Sequence, residues 1–107
     1  LLPGDVRADV ERELASGASA CPVLKLAHHG SATSSDPLWL DALQPEVAIV
    51  SAGRRRSTPL PHPTVRRRQE RREISLWEPR RWGAISVRLS PVGPLVRPFW
   101  SYPIEPR

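Results

Sequence analysis

Asp5, His28, His29 and His62 are the side chains whose types suit a divalent cation. Neutral imidazole and carboxylate are the usual ligands of zinc, manganese and iron. A carboxylate can also bridge two ions, the arrangement used in two-metal hydrolysis of phosphate esters. The chain has 3 histidines, and two of them stand side by side in the stretch LKLAHHGSATSS. Each residue has a plainer reading as well. Gly4-Asp5 suits a turn or a helix cap. His28-His29 suits a hydrogen-bonded pair that braces a loop, with Gly30 supplying backbone freedom. Pro61-His62-Pro63 suits a stiff loop with an exposed ring.

A second chemistry is carried by arginine. The net charge is +5, and all 16 basic residues except Lys25 are arginine. Arg54-Arg55-Arg56, Arg66-Arg67-Arg68 and Arg71-Arg72 form runs. Guanidinium forks grip phosphate at two points, and a basic groove follows a nucleic-acid backbone. The alternative is a solvated basic face without a partner. Trp77 and Trp82 flank Arg80-Arg81 and could stack bases, although core or turn packing is the commoner use of such rings.

These residues need elements to position them. Leu1-Leu2 reads as a short apolar strand, left through the turn Pro3-Gly4-Asp5. Val6, Val10, Leu14 and Ala18 then share one face of a predicted helix, with Asp9, Glu11, Arg12 and Glu13 outward. Pro22 to Ala27 is a second strand, followed by a loop from His28 to Ser35. Ser35 or Asp36 can cap a helix that starts at Pro37 and stops before Pro45. Val47 to Ser51 is a β-branched, uncharged strand. A basic loop runs from Arg54 to Pro63, and a cationic helix from about Pro63 to Arg72. Ile74 to Trp77 and Ala84 to Leu89 are two more strands, joined through a hairpin turn over Glu78 to Gly83. From residue 90 to 107 prolines recur without periodicity, which suits an extended Pro-rich tail. The alternation of strands and helices means an α/β layered domain. The loops after successive strands should then meet on one rim, where such sheets gather their chemistry.

The 107 residues suffice for one small domain. There is no methionine, so the sequence is expected to be a fragment or a processed piece. No apolar run of about 18 residues is present to span a membrane, and the N-terminus turns polar too soon for a signal peptide. Cys21 is the single cysteine, which suits a buried structural thiol.

The blocks LLPGDV, ERELAS, PVLKLAHHGSATSSDPLWLDALQPEVAIVSAG, PLPHPTVRRR and WGAISVRL occur in an order and spacing that resemble the C-terminal half of the metallo-β-lactamase-like domain of ComEC-type DNA-uptake proteins. The resemblance runs from residue 1 to about 89 and leaves residues 90–107 as a tail. It implies the second half of an αββα sandwich from a metal-dependent phosphodiesterase or nuclease with two divalent ions, zinc or manganese. It further implies a membrane-embedded parent, with this segment on the extracytoplasmic side degrading a DNA strand, and the rest of the same hydrolase domain as a partner. Asp5 would match the metal-bridging aspartate, and one of His28 and His29 a ligand. Alternation along a strand would turn those two apart, and His28 is favoured. Arg54, Arg55, Arg56, Arg66 and Arg67 would hold the nucleic acid. Two departures stand out. The family's His-x-His-x-Asp-His motif is absent, so the piece alone is expected to be inactive. In addition, Leu60 falls where a family histidine would stand, with His62 two residues later, either substituting for it or marking a lost ligand. The rival readings are a basic DNA-binding module without catalysis, and a related hydrolase of another phosphodiester.

Overall fold

The computed structural model describes residues 1–53, 57 and 59–104. Its elements run α1 (Ala8–Ala15), β1 (Val23–Lys25), α2 (Pro37–Leu43), β2 (Val47–Ile49), α3 (Pro63–Arg71), β3 (Ser75–Trp77), α4 (Pro79–Trp82), β4 (Ile85–Ser90) and β5 (Gly93–Pro98). The result is an α/β fold. β1, β2 and β3 form a parallel sheet in that order, with Leu24, Ala48 and Leu76 in register. Parallel neighbours need crossovers, and α2 and α3 supply them. Among the described residues no helix is long and apolar enough to cross a membrane.

The two crossover helices start where the sequence marks them. Asp36 Oδ1 accepts from the Leu38 amide at 2.9 Å, Pro37 takes the first turn, and Gln44 ends α2 in the left-handed region. His62 Nδ1 accepts from the Thr64 amide at 3.1 Å and caps α3 ahead of Pro63. α2 buries Trp39, Leu40 and Leu43, and α3 buries Val65, together with Leu24, Leu26, Ala48, Val50 and Ile74. Each large aliphatic chain withdrawn from water contributes about 1.5–3 kcal/mol, the main favourable term in so small a core.

Four sequence expectations are corrected. No strand forms at Leu1-Leu2; Leu1 only flanks β1, donating to Val23 O at 2.9 Å and accepting from Lys25 N at 3.0 Å. α1 does not bury its apolar stripe, because Val10 and Leu14 are exposed while Glu11 is 1% exposed. Glu11 turns inward because its Oε2 accepts from the Asp36 amide at 2.8 Å, tying α1 to the start of α2. Glu78 to Gly83 is no hairpin, since β3 pairs with β2 and β4 belongs to a separate antiparallel sheet. Instead Pro79 opens α4, and Glu78, 3% exposed, binds Arg66 through one oxygen and Arg80 through the other. Finally, part of the Pro-rich tail is paired: β5 lies against β4 with Pro98 opposite Ile85 and Pro94 opposite Leu89. Prolines at the two ends of a two-stranded ribbon leave most of its ladder intact.

Burial holds the Glu11 carboxyl above its ordinary range, against the pull of its backbone hydrogen bonds from Asp36 and Ser35. Its Oε1 has no partner among the described residues. A raised folded-state pKa contributes stability below the unfolded value, and that contribution is lost as pH rises through the folded value. The stability of wild type relative to Glu11→Gln should therefore increase as pH falls from 7 to below about 4.5, the ordinary glutamate value. Urea melts of both chains across that range check it; a constant difference would contradict it.

Candidate functional site

Three segments meet at one rim of the parallel sheet. Gly4 turns at φ 67°, and its carbonyl accepts from the His28 amide at 3.0 Å. Thr33 O accepts from the Ala8 amide at 2.8 Å, so the stretch that carries Asp5 is stitched at both ends to the histidine loop. On the other side, Gly30 O accepts from the His62 amide at 2.8 Å. Asp5, His28-His29 and His62 thus lie on adjoining backbone, although no strand precedes Asp5. Asp5 is exposed.

The histidine loop is unusual in its backbone. His28, His29 and Gly30 are left-handed in succession, at φ 48°, 56° and 76°. Such a conformation costs a non-glycine residue about 1–2 kcal/mol, so surrounding bonds must hold it. They do. His29 Nδ1 lies 2.7 Å from Ser51 O, and His28 Nδ1 lies 3.3 Å from Thr33 Oγ1. The buried Ser34 hydroxyl donates to Ala27 O at 2.9 Å. Because the two histidines sit in a turn and not in a strand, strand alternation does not decide which of them faces a ligand.

Hydrogen-bond chemistry distinguishes the rings instead. Ser51 O can only accept, so His29 Nδ1 carries the proton and Nε2 keeps a bare lone pair when the ring is neutral. That is the orientation a ligating imidazole takes, with its second nitrogen held by a carbonyl. His62 is the reverse. The Thr64 amide can only donate, so Nδ1 accepts and the neutral ring carries its proton on Nε2. Its cap makes the neutral His62 ring a donor through Nε2. Leu60, in the position of the expected family histidine, is buried at 7% exposure. Among the described residues, no three His, Cys, Asp or Glu side chains stand together as a metal-binding group.

The arginines divide sharply. Arg66 is engaged with Glu78. Arg68 donates to Ser34 O and Ser35 O at 3.3 and 3.0 Å, holding the end of the histidine loop. Arg72 donates to Asp41 at 2.8 Å, which keeps the Asp41 carboxyl below its usual range. Arg67 is exposed. Arg54, Arg55 and Arg56 lie outside the described residues. Trp77 and Trp82 pack on each other with centroids 5.1 Å apart, which occupies faces that could otherwise stack bases. Sequence reasoning missed Ser51, Thr33 and the Gly4 carbonyl as anchors. Only the run of small hydroxyl residues after Gly30 hints at a loop held by its own side chains.

Comparison with known proteins gives two relatives. The chain is 39% identical to Recombination protein 2 of Haemophilus influenzae over 71 residues, 66% of this chain and 9% of that protein. It is 32% identical to ComE operon protein 3 of Bacillus subtilis over 90 residues, 82% of this chain and 12% of that protein. The chain therefore spans about a tenth of the length of the curated relatives it matches. No protein-family profile and no solved structure matches it.

The histidine loop has one steric requirement. A Cβ on Gly30 would lie 2.7 Å from Pro61 Cβ, 3.0 Å from Pro61 Cα and 3.1 Å from Val50 Cγ2. With the positive φ added, Gly30→Ala should cost about 2–4 kcal/mol. Urea denaturation measures this, and a loss below about 0.5 kcal/mol, the size of an ordinary surface substitution, would contradict it.

Proposed function

We propose that this chain is part of a DNA-uptake protein, and that its rim contributes to a site for metal-dependent hydrolysis of a phosphodiester strand. The observation that carries the reading is the His29 ring, fixed through Nδ1 so that the neutral ring keeps a lone pair on Nε2, on a loop whose backbone is hydrogen-bonded to the Asp5 segment. The relatives support the biological half. One is named for recombination and the other for the ComE operon, names that agree with the DNA-uptake family the motif order resembles. In this reading the parallel sheet and its helices are half of an αββα sandwich. The parent is embedded in the cell membrane, and the segment works on its extracytoplasmic side.

The donor set fits divalent ions in part. His29 Nε2 and the Asp5 carboxylate have ligand chemistry; His62, with Nδ1 used as a cap, does not. Two ions, when bound, supply polarisation of the phosphate and a water of lowered pKa. Asp5 would hold them by its carboxylate and His29 by Nε2, with the remaining ligands outside this sequence. His62 would donate its Nε2 proton to a phosphate oxygen, and His28 would brace the loop through Thr33.

Single-stranded DNA incubated with the full-length encoded protein and manganese or zinc should be cut. Asp5→Asn and His29→Gln should each lower the rate at least about 100-fold, while Arg88→Gln on the hairpin should not. Unchanged cleavage in both rim variants would overturn the site assignment. A second reading, a basic DNA-binding module without catalysis, is favoured by the buried Leu60 and by the lack of a three-ligand group among the described residues. Its mark is DNA binding that chelators leave unchanged, with no cleavage at any metal concentration.

A further inference from the structure

A groove of about 660 Å³ runs between α2 and α3, lined by Pro37 and Asp41 on one side and Thr64, Arg67, Arg68, Arg71 and Arg72 on the other. The α3 residues recur every three or four positions, so they form one stripe of that helix, next to the face that buries Val65 and Gln69. The stripe begins at Thr64, whose amide binds the His62 ring, and His62 in turn bonds to Gly30. The groove therefore starts at the rim and leads away from it along α3.

The guanidiniums in this groove play two parts. Arg68 and Arg72 are anchored, to the Ser34 and Ser35 carbonyls and to Asp41. Arg67 and Arg71 are exposed and make no hydrogen bond or ion pair to the described residues. Two long cationic chains left free beside two fixed ones serve no evident internal purpose. Their spacing of four residues sets them about 6 Å apart along the helix axis, on the order of the separation of neighbouring phosphates along one extended strand. A single line of charges matches a single backbone line better than the paired backbones of a duplex.

We infer that the α2–α3 groove is a track for the phosphodiester backbone of single-stranded DNA, with Arg67 and Arg71 as its phosphate contacts and Arg68 and Arg72 as its fixed wall. The inference rests on the DNA-handling reading above, and it relocates the contact. Arg66, committed to Glu78, is a structural residue, and Arg71 takes its place in the contact set.

The test is fluorescence anisotropy of a labelled single-stranded DNA 20-mer, without divalent metal, over a salt series. Arg67→Glu/Arg71→Glu should bind at least tenfold more weakly than the unsubstituted chain at low salt. Its log–log salt slope should be shallower by about 1.4, the release expected for two single-strand phosphate contacts. The control is Arg88→Glu/Arg97→Glu, an equal change in net charge on the exposed face of the β4–β5 hairpin, which should keep most of the affinity. Equal losses in both double variants would reduce the binding to net charge and overturn the track, as would no loss in the α3 variant. A several-fold preference for duplex over single strand would overturn the single-strand assignment. Absence of binding by the unsubstituted chain would overturn the inference as well. None of these results depends on metal or on cleavage, so failure of the track leaves the rim assignment to its own assay. Loss of cleavage with this binding intact concerns the rim alone.

Discussion

The left-handed turn at His28-His29-Gly30 admits no side chain at its third position, where a Cβ would meet Pro61 and Val50. Hydrogen bonds hold the turn in place, and the turn fixes most of what lies at the rim. Its first amide takes the Gly4 carbonyl, its last carbonyl takes the His62 amide, and its middle ring takes the Ser51 carbonyl. Three segments distant in sequence are thereby locked by main-chain bonds, with side-chain chemistry needed only for the last step. The unfavourable dihedrals of two histidines cost about 1–2 kcal/mol each. They are offset by several hydrogen bonds, each contributing about 1 kcal/mol net. Backbone strain concentrated at a strand end, held by surrounding contacts, is common where a side chain must be presented in one orientation.

The same economy governs the charges. A chain this rich in arginine invites a reading in which every guanidinium greets a polyanion. Yet Glu78 occupies Arg66 and Arg80, Asp41 occupies Arg72, and Asp36 occupies Arg12. Arg68 is spent on two loop carbonyls. Arginine here is first a cross-linker between elements whose hydrophobic contacts are few. The buried carboxylates, Glu11 and Glu78, make the same point from the acidic side. Glu11 clasps the Asp36 amide and Glu78 receives two forks, so each joins elements that a larger core would join by packing alone.

Much of this was legible in the sequence where a local rule decides the structure. Asp36-Pro37 announces α2, and the β-branched run from Val47 announces β2. The order of elements from α1 through β3 follows from the alternation of strand and helix, although the strand expected at Leu1-Leu2 does not form. What was not legible depends on tertiary choice. Helical periodicity placed Val10 and Leu14 inward, but one long-range bond from Glu11 to the Asp36 amide turned α1 the other way. Trp77 and Ala84 look like two ends of a hairpin, yet they belong to separate sheets because β3 docks on β2. The ligand question was illegible for a subtler reason. His28 and His29 look like successive strand residues, and only the dihedral angles reveal a turn. His62 looks like a loop histidine until the Thr64 amide is seen to occupy its Nδ1.

The account turns on two imidazoles of opposite protonation at one rim. Long-range proton–nitrogen correlation spectra of the uniformly nitrogen-labelled chain report the tautomer of each neutral ring directly. His29 is expected as the Nδ1–H form and His62 as the Nε2–H form. Finding His29 with its proton on Nε2 would contradict the account, because the lone pair it offers to a ligand would then be turned toward Ser51.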